Sequence, residues 1–186
     1  MMQRHVLIFH GTGGHPKENW FPWLKEKLED EGYKVEVPQL PTPENQSLES
    51  WLKVLKKYQK YINQDTVIIG HSLGGLFLLR VLERLDSPIK TAFFVAAPVG
   101  ILPIQNYAGD DAFSPGFSFD WRKIKSNAAH FKVFHSDNDP YISLENGEEL
   151  ARHLGGEFNF IPDAGHLNAE SGYTRFPLLL EKMLSK

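Results

Sequence analysis

Short apolar runs alternate along the chain with stretches whose apolar residues recur every three or four positions. Val6-Leu7-Ile8-Phe9, closed by His10-Gly11, has the pattern of a buried parallel strand. Trp20, Trp23, Leu24 and Leu28 fall on one face of a helix that Gly32 can end. Lys34 to Val37 predicts a second strand, stopped by Pro38. Ser47 can cap a helix whose apolar face runs through Leu48, Trp51, Leu52 and Leu55 and on past Gln59 to Ile62. The pattern continues with a strand from Thr66 to Ile69 and a helix from Leu73 to about Leu85, before Pro88. Thr91 to Ala96 and Phe131 to Phe134 read as strands, and Ser143 to Leu154 as a helix ended by Gly155-Gly156. Phe158 to Ile161 and then Phe176 to Leu184 give the last strand and the last helix.

This alternation predicts an α/β fold: a doubly wound, mostly parallel sheet of about six strands with helices on both faces. A chain of 186 residues suits one domain, here 1–186. The rhythm breaks at about 98–121, where Pro103, Gly109, Pro115 and Gly116 lie among several aromatics. An insertion of this length predicts a cap-like element.

Gly70-His71-Ser72-Leu73-Gly74 matches G-x-S-x-G. By composition alone about 0.06 chance matches are expected in a chain of this size. The context adds weight, because the motif leaves a predicted strand and opens a predicted helix, as a nucleophile elbow does. Small residues let that helix pack close to the strand. Ser72 is thus the candidate nucleophile, and the backbone N–H of Leu73, at a helix N-terminus, a candidate oxyanion donor. The bland reading is a glycine-rich turn with an incidental serine.

A hydroxyl needs a base. Of eight histidines, His166 follows the last strand, where this fold presents its base. His135, at a strand end, is its main rival; His130 and His153 read as surface residues, and His71 as pointing away from Ser72. The acid should follow the fifth strand, within Ser136-Asp137-Asn138-Asp139-Pro140. Asp139 is favoured because Pro140 restricts its backbone. Asp137 reads as a local brace of the turn, and Asp163 stands too near His166 in sequence. Ser72, Asp139, His166 and Gly11 all lie at carboxyl ends of strands, the edge where open α/β sheets bind ligands.

His10-Gly11-Thr12-Gly13-Gly14-His15 follows the first strand, and the backbone N–H of Thr12 is the second candidate oxyanion donor. The loop lacks the G-K-[ST] ending and the G-x-G-x-x-G spacing of phosphate loops. His10 and His15 lack a third ligand for a metal. Neither a metal nor a cofactor is expected.

His10-Gly11 and its glycines, Trp20, Trp23-Leu24, the elbow, Ser136 to Pro140 and Gly165-His166 together resemble the small serine hydrolases related to retinoblastoma-binding protein 9. The similarity covers nearly the whole chain. It implies a reduced α/β-hydrolase sheet of about six strands and a triad carried by Ser72, Asp139 and His166. The Leu-x-Cys-x-Glu segment associated with retinoblastoma binding is absent, since the chain has no cysteine, so that partner is not implied.

Composition changes the picture only by exclusion. Hydrophobic residues make up 41% and charged residues 23%, as in ordinary folded chains. A net charge of −3 offers no basic surface for nucleic acid. No stretch approaches a membrane span, and Val6 to Phe9 is too short for a signal-peptide core, so a cytoplasmic protein is expected. Two function classes remain. One is an esterase-like hydrolase of a small carboxylic ester, thioester or amide, with Phe113, Phe117, Phe119 and Trp121 of the insertion as a candidate acyl pocket. The same aromatics read equally as packing of the insertion onto the domain. The other is a hydrolase-fold binding protein with little turnover.

Overall fold

The structure, a computed structural model, describes residues 3–185; Met1, Met2 and Lys186 lie outside the described residues. Six strands form one sheet in the order β2-β1-β3-β4-β5-β6, and every neighbouring pair is parallel. They are β1 (His5–Phe9), β2 (Lys34–Glu36), β3 (Val67–His71), β4 (Ile89–Val95), β5 (Ala128–His135) and β6 (Glu157–Phe160). The helices are α1 (Phe21–Asp30), α2 (Leu48–Leu55), α3 (Leu73–Leu82), α4 (Tyr107–Phe113), α5 (Trp121–Ser126), α6 (Leu144–Leu154) and α7 (Pro177–Leu184).

Strand side chains alternate between two apolar layers, which is why the central strands read as continuous apolar runs. Leu7, Phe9, Ile68, Phe94 and Val133 pack with Trp51 of α2, Phe77 of α3, Ile124 of α5 and Leu150 of α6. Val6, Ile8, Ile69, Phe93 and Val95 pack with Phe21, Leu24 and Leu28 of α1 and Leu179 of α7. All residues of α3 are buried. A helix with no solvated face belongs in the interior, and α3 lies between the sheet and the elements outside it. Among the described residues no helix is long and apolar enough to cross a membrane.

Two helices stop before their apolar periods do. α2 starts as expected, with Ser47 and Ser50 forming a reciprocal cap, but ends at Leu55 rather than Ile62. Thr66 Oγ1 donates to the Tyr61 carbonyl and accepts from Asn63 N, at 2.6 and 2.9 Å. These bonds fold residues 61–66 into the turn that feeds β3. α3 ends at Leu82 because Asn127, 45 residues away, donates through Nδ2 to the carbonyls of Leu82 and Leu85, at 2.6 and 3.0 Å.

The stretch between β4 and β5 carries α4, a short 3-10 turn at Pro115–Phe117 and α5. It is tied down at two places. Arg80 of α3 donates to Ser114 Oγ through Nε at 2.9 Å and pairs with Glu83 Oε2 at 2.9 Å. Gln105 N donates to the Tyr141 carbonyl at 2.8 Å, and Ser143 N to the Pro103 carbonyl at 3.2 Å. The second tie fastens the insertion to the loop after β5.

Candidate active site

Ser72 sits between β3 and α3 with φ 56° and ψ −127°, a conformation unfavourable for any residue with a side chain. Its N–H donates to the Val95 carbonyl at 2.9 Å, which fixes the elbow to the neighbouring strand. The flanking glycines are steric necessities. A Cβ on Gly70 would run into the Gly74 backbone, and one on Gly74 into the Phe9 carbonyl.

Asp139 and His166 are brought together from loops 27 residues apart. His166 Nδ1 donates to Asp139 Oδ2 at 2.7 Å. Asp139 Oδ1 accepts from the backbone N–H groups of Tyr141 and Ile142 at 2.8 and 3.2 Å, so both oxygens of this fully buried carboxyl are engaged. With Nδ1 carrying the proton, Nε2 of neutral His166 holds the lone pair.

The two loops are laced together by the residues just before Asp139. Ala164 N donates to Ser136 Oγ at 2.9 Å, Asp163 N to Asp137 Oδ1 at 2.9 Å, and Gly165 N to Asn138 Oδ1 at 2.6 Å. Asp137 therefore braces the base loop across the sheet edge rather than its own turn. Sequence reasoning missed this latch, although a Ser-Asp-Asn run offers three acceptors in a row.

His71 was missed as well. It does point away from a bond with Ser72, but not to no purpose. Its Nε2 donates to the His166 carbonyl at 2.9 Å, and its ring lies 4.8 Å from that of His166. Burial and the adjacent His166 push its pKa down to about 3, so it is a neutral donor. His10 has a similar bracing role in the first loop. Its Nδ1 donates to the Gly11 carbonyl at 2.9 Å and its Nε2 accepts from Leu40 N at 3.0 Å. The rival base His135 is spent otherwise: it is fully buried, and its Nε2 donates to the Ile142 carbonyl at 3.0 Å. His153 stacks on Trp121 at 4.2 Å, and His130 is exposed.

Ser72, His166 and Thr12 line one cavity of about 590 Å³, together with Gly11, Ile104 and Tyr141. Among the described residues neither the Thr12 nor the Leu73 backbone N–H has an acceptor. The Leu73 side chain enters the core, and Leu73, unlike Thr12, is not among the residues that line the cavity. Gly13 N donates to Thr42 Oγ1 at 2.7 Å and Gln46 Nε2 to Thr12 Oγ1 at 3.2 Å, so the first loop is held from the β2–α2 connection. Among the described residues no group of three or more His, Asp or Glu side chains is arranged to hold a metal ion.

The aromatics expected to form an acyl pocket lie elsewhere than on this cavity's wall. None of Phe113, Phe117, Phe119 and Trp121 lines this cavity. Phe113 is buried against Trp51 and Phe77, at ring distances of 4.9 and 6.2 Å. Phe117 packs on Tyr107, Phe119 on Arg80, and Trp121 on His153. Packing within the insertion and against its neighbours takes up these four aromatics, while Ile104, Gln105, Asn106 and Asp110 line the cavity.

The parallel sheet, the elbow at the end of its third strand and the His–Asp pair on the following loops define an α/β-hydrolase-fold protein. A model of the family described as serine hydrolase matches residues 6–185, and the chain belongs to that family. It is 29% identical to YdeN of Bacillus subtilis, over 99% of this chain and 96% of that protein. It is 27% identical to the serine hydrolase RBBP9 of Rattus norvegicus, over 87% of this chain and 86% of that protein. The crystal structure of the B. subtilis ydeN gene product superposes with a TM-score of 0.90, covering 97% of each chain at 28% identity.

Proposed function

We propose that the protein hydrolyses a small carboxylic ester, thioester or amide through an acyl-enzyme on Ser72. The observation that carries this reading is the 2.7 Å bond from His166 Nδ1 to Asp139 Oδ2, with His166 and Ser72 on the wall of one cavity. His166 Nε2 takes the Ser72 hydroxyl proton as Oγ bonds to the substrate carbonyl carbon. The carbonyl oxygen becomes an oxyanion that the Thr12 and Leu73 N–H groups receive. Collapse breaks the bond to the leaving group, which departs with the proton from the imidazolium. Water then attacks the acyl-enzyme with His166 again as base, releasing the acid and restoring Ser72. Asp139 keeps the imidazole in the required tautomer and stabilises its cation.

Two measurements test this reading: fluorophosphonate labelling and ester cleavage, each with wild type and Ser72→Ala. The expected result is labelling and turnover by the wild type, with both lost in a variant that melts like it. Wild-type turnover by pure, folded Ser72→Ala protein overturns the reading.

A further inference from the structure

The insertion places a carboxyl in the cavity that the reaction as written does not use. Asp110, in the first turn of α4, lines the same cavity as Ser72 and His166 and is only 5% exposed. Its backbone N–H is satisfied by the Asn106 carbonyl at 3.0 Å. Its side chain is poorly served: Oδ1 has one long contact, 3.5 Å from Asn106 Nδ2, and Oδ2 has no hydrogen-bond partner among the described residues. Arg80, the nearby buried cation, is occupied by Ser114 and Glu83. A carboxyl this far withdrawn from solvent, with one long hydrogen bond and an oxygen open only to the cavity, is costly to charge. Burial accordingly pushes its pKa up to about 6, so at neutral pH it is mainly an uncompensated anion. Groups of this kind gather where a ligand supplies the missing partner.

The rest of the cavity wall has the same sign. Glu18 and Glu170 also line it, and among the described residues no lysine or arginine does. Of its two histidines, His71 is held neutral by burial, and His166 gives its Nδ1–H to Asp139 rather than to Asp110. Glu170 accepts from the Tyr141 hydroxyl at 3.2 Å, and Glu18 lies 4.0 Å from His15, which leaves Asp110 as the buried carboxyl without a strong partner.

We propose that Asp110 is a specificity residue that receives a protonated amine on the substrate, so that the hydrolysed ester or amide carries a cationic nitrogen. The assignment rests on the serine-hydrolase reading and names the substrate class for that site. A cation there forms a charge-assisted hydrogen bond with Oδ2 on the cavity wall.

Paired 4-nitrophenyl esters test it. The members of each pair differ only by an ammonium in place of a terminal methyl, with several acyl lengths; a second series carries the same change on an alkyl alcohol. The expected result is that kcat/KM favours the ammonium member by about ten- to hundredfold in at least one pair. In Asp110→Asn that ratio falls toward unity, and in Asp110→Glu it partly returns. Because the ratio is taken within each variant, a general loss of activity cancels. A readout that needs no variant is competitive inhibition of wild-type cleavage of a neutral ester by an alkylammonium ion but not by the alcohol of the same shape. An absent preference in every pair, an unchanged ratio in Asp110→Asn, or equal inhibition by the alcohol overturns the assignment. Failure of Ser72 to take the fluorophosphonate label instead overturns the hydrolase reading beneath it. An enzyme that labels normally and ignores the ammonium sinks the Asp110 proposal alone.

Discussion

His71 Nε2 donates to the carbonyl oxygen of His166 at 2.9 Å, so the residue preceding the candidate nucleophile holds the backbone of the candidate base. The bond joins the end of β3 to the backbone of the loop after β6 that carries His166. His71→Phe keeps a ring but leaves that buried carbonyl without a donor. The expected outcome is a stability loss of about 1–3 kcal/mol and a kcat reduced about tenfold with little change in KM. His71→Gln, which restores a donor, should recover part of kcat. Thermal melts and steady-state kinetics on both variants check this; equal kinetics for the two would remove the positioning role.

The aspartates two residues apart should separate cleanly. Asp139→Asn removes the acceptor that selects the Nδ1–H tautomer of His166, and turnover should fall by roughly three to four orders of magnitude. Asp137→Asn keeps an oxygen that can accept from Asp163 N and loses only the charge behind that 2.9 Å bond. It should cost about 1 kcal/mol of stability and alter turnover by less than about tenfold. Steady-state rates of two variants shown by circular dichroism to be folded decide the ranking.

Acid should destabilise the protein through its buried imidazoles. The pKa of His71 is pushed from 6.5 down to about 3 by burial, and burial also lowers that of His10. Between the two values for His71 the unfolded chain binds a proton that the folded chain refuses. Its contribution is therefore full above about 6.5 and is lost as pH falls toward 3. Asp110 works in the opposite sense: raised by burial from 3.8 to about 6, its contribution is full below 3.8 and lost as pH rises through 6. Asp110→Asn should consequently raise Tm near pH 8 and leave it nearly unchanged near pH 4. Calorimetry across that range reads both trends.

Phe119 should matter to folding rather than to substrate choice. Its ring lies 4.6 Å from the Arg80 guanidinium and 4.9 Å from the Trp121 ring, away from the cavity. Phe119→Ala should cost about 1–3 kcal/mol and reduce all acyl lengths alike. A changed length preference in a well-folded variant would return Phe119 to the substrate pocket.

Much of the architecture was legible in one dimension. A run such as Val6 to Phe9 can be buried on both sides only as a central parallel strand, and Gly70, Gly74 and the helix that follows leave Ser72 little choice but an elbow. The positions of Asp139 and His166 followed from the same logic, since each follows a strand whose carboxyl end faces the ligand edge. These features depend on local sterics and on the two-residue and three-to-four-residue periods, which a sequence displays directly.

Tertiary structure decided what depends on distant partners. The end of α3 is set by Asn127, and the grip of residues 136–138 on 163–165 arises only when β5 and β6 lie side by side. The insertion is the clearest case. Its aromatics and polar residues are interleaved along the chain, so either set was eligible to face the substrate. Packing within the insertion and against its neighbours claimed Phe113, Phe117, Phe119 and Trp121, and left Asp110 on the wall of the cavity that Ser72 also lines. The hydrophobic effect is non-directional. The sequence therefore states which groups will leave water, while the packing of the whole chain selects the surface they cover and the groups left to line the cavity.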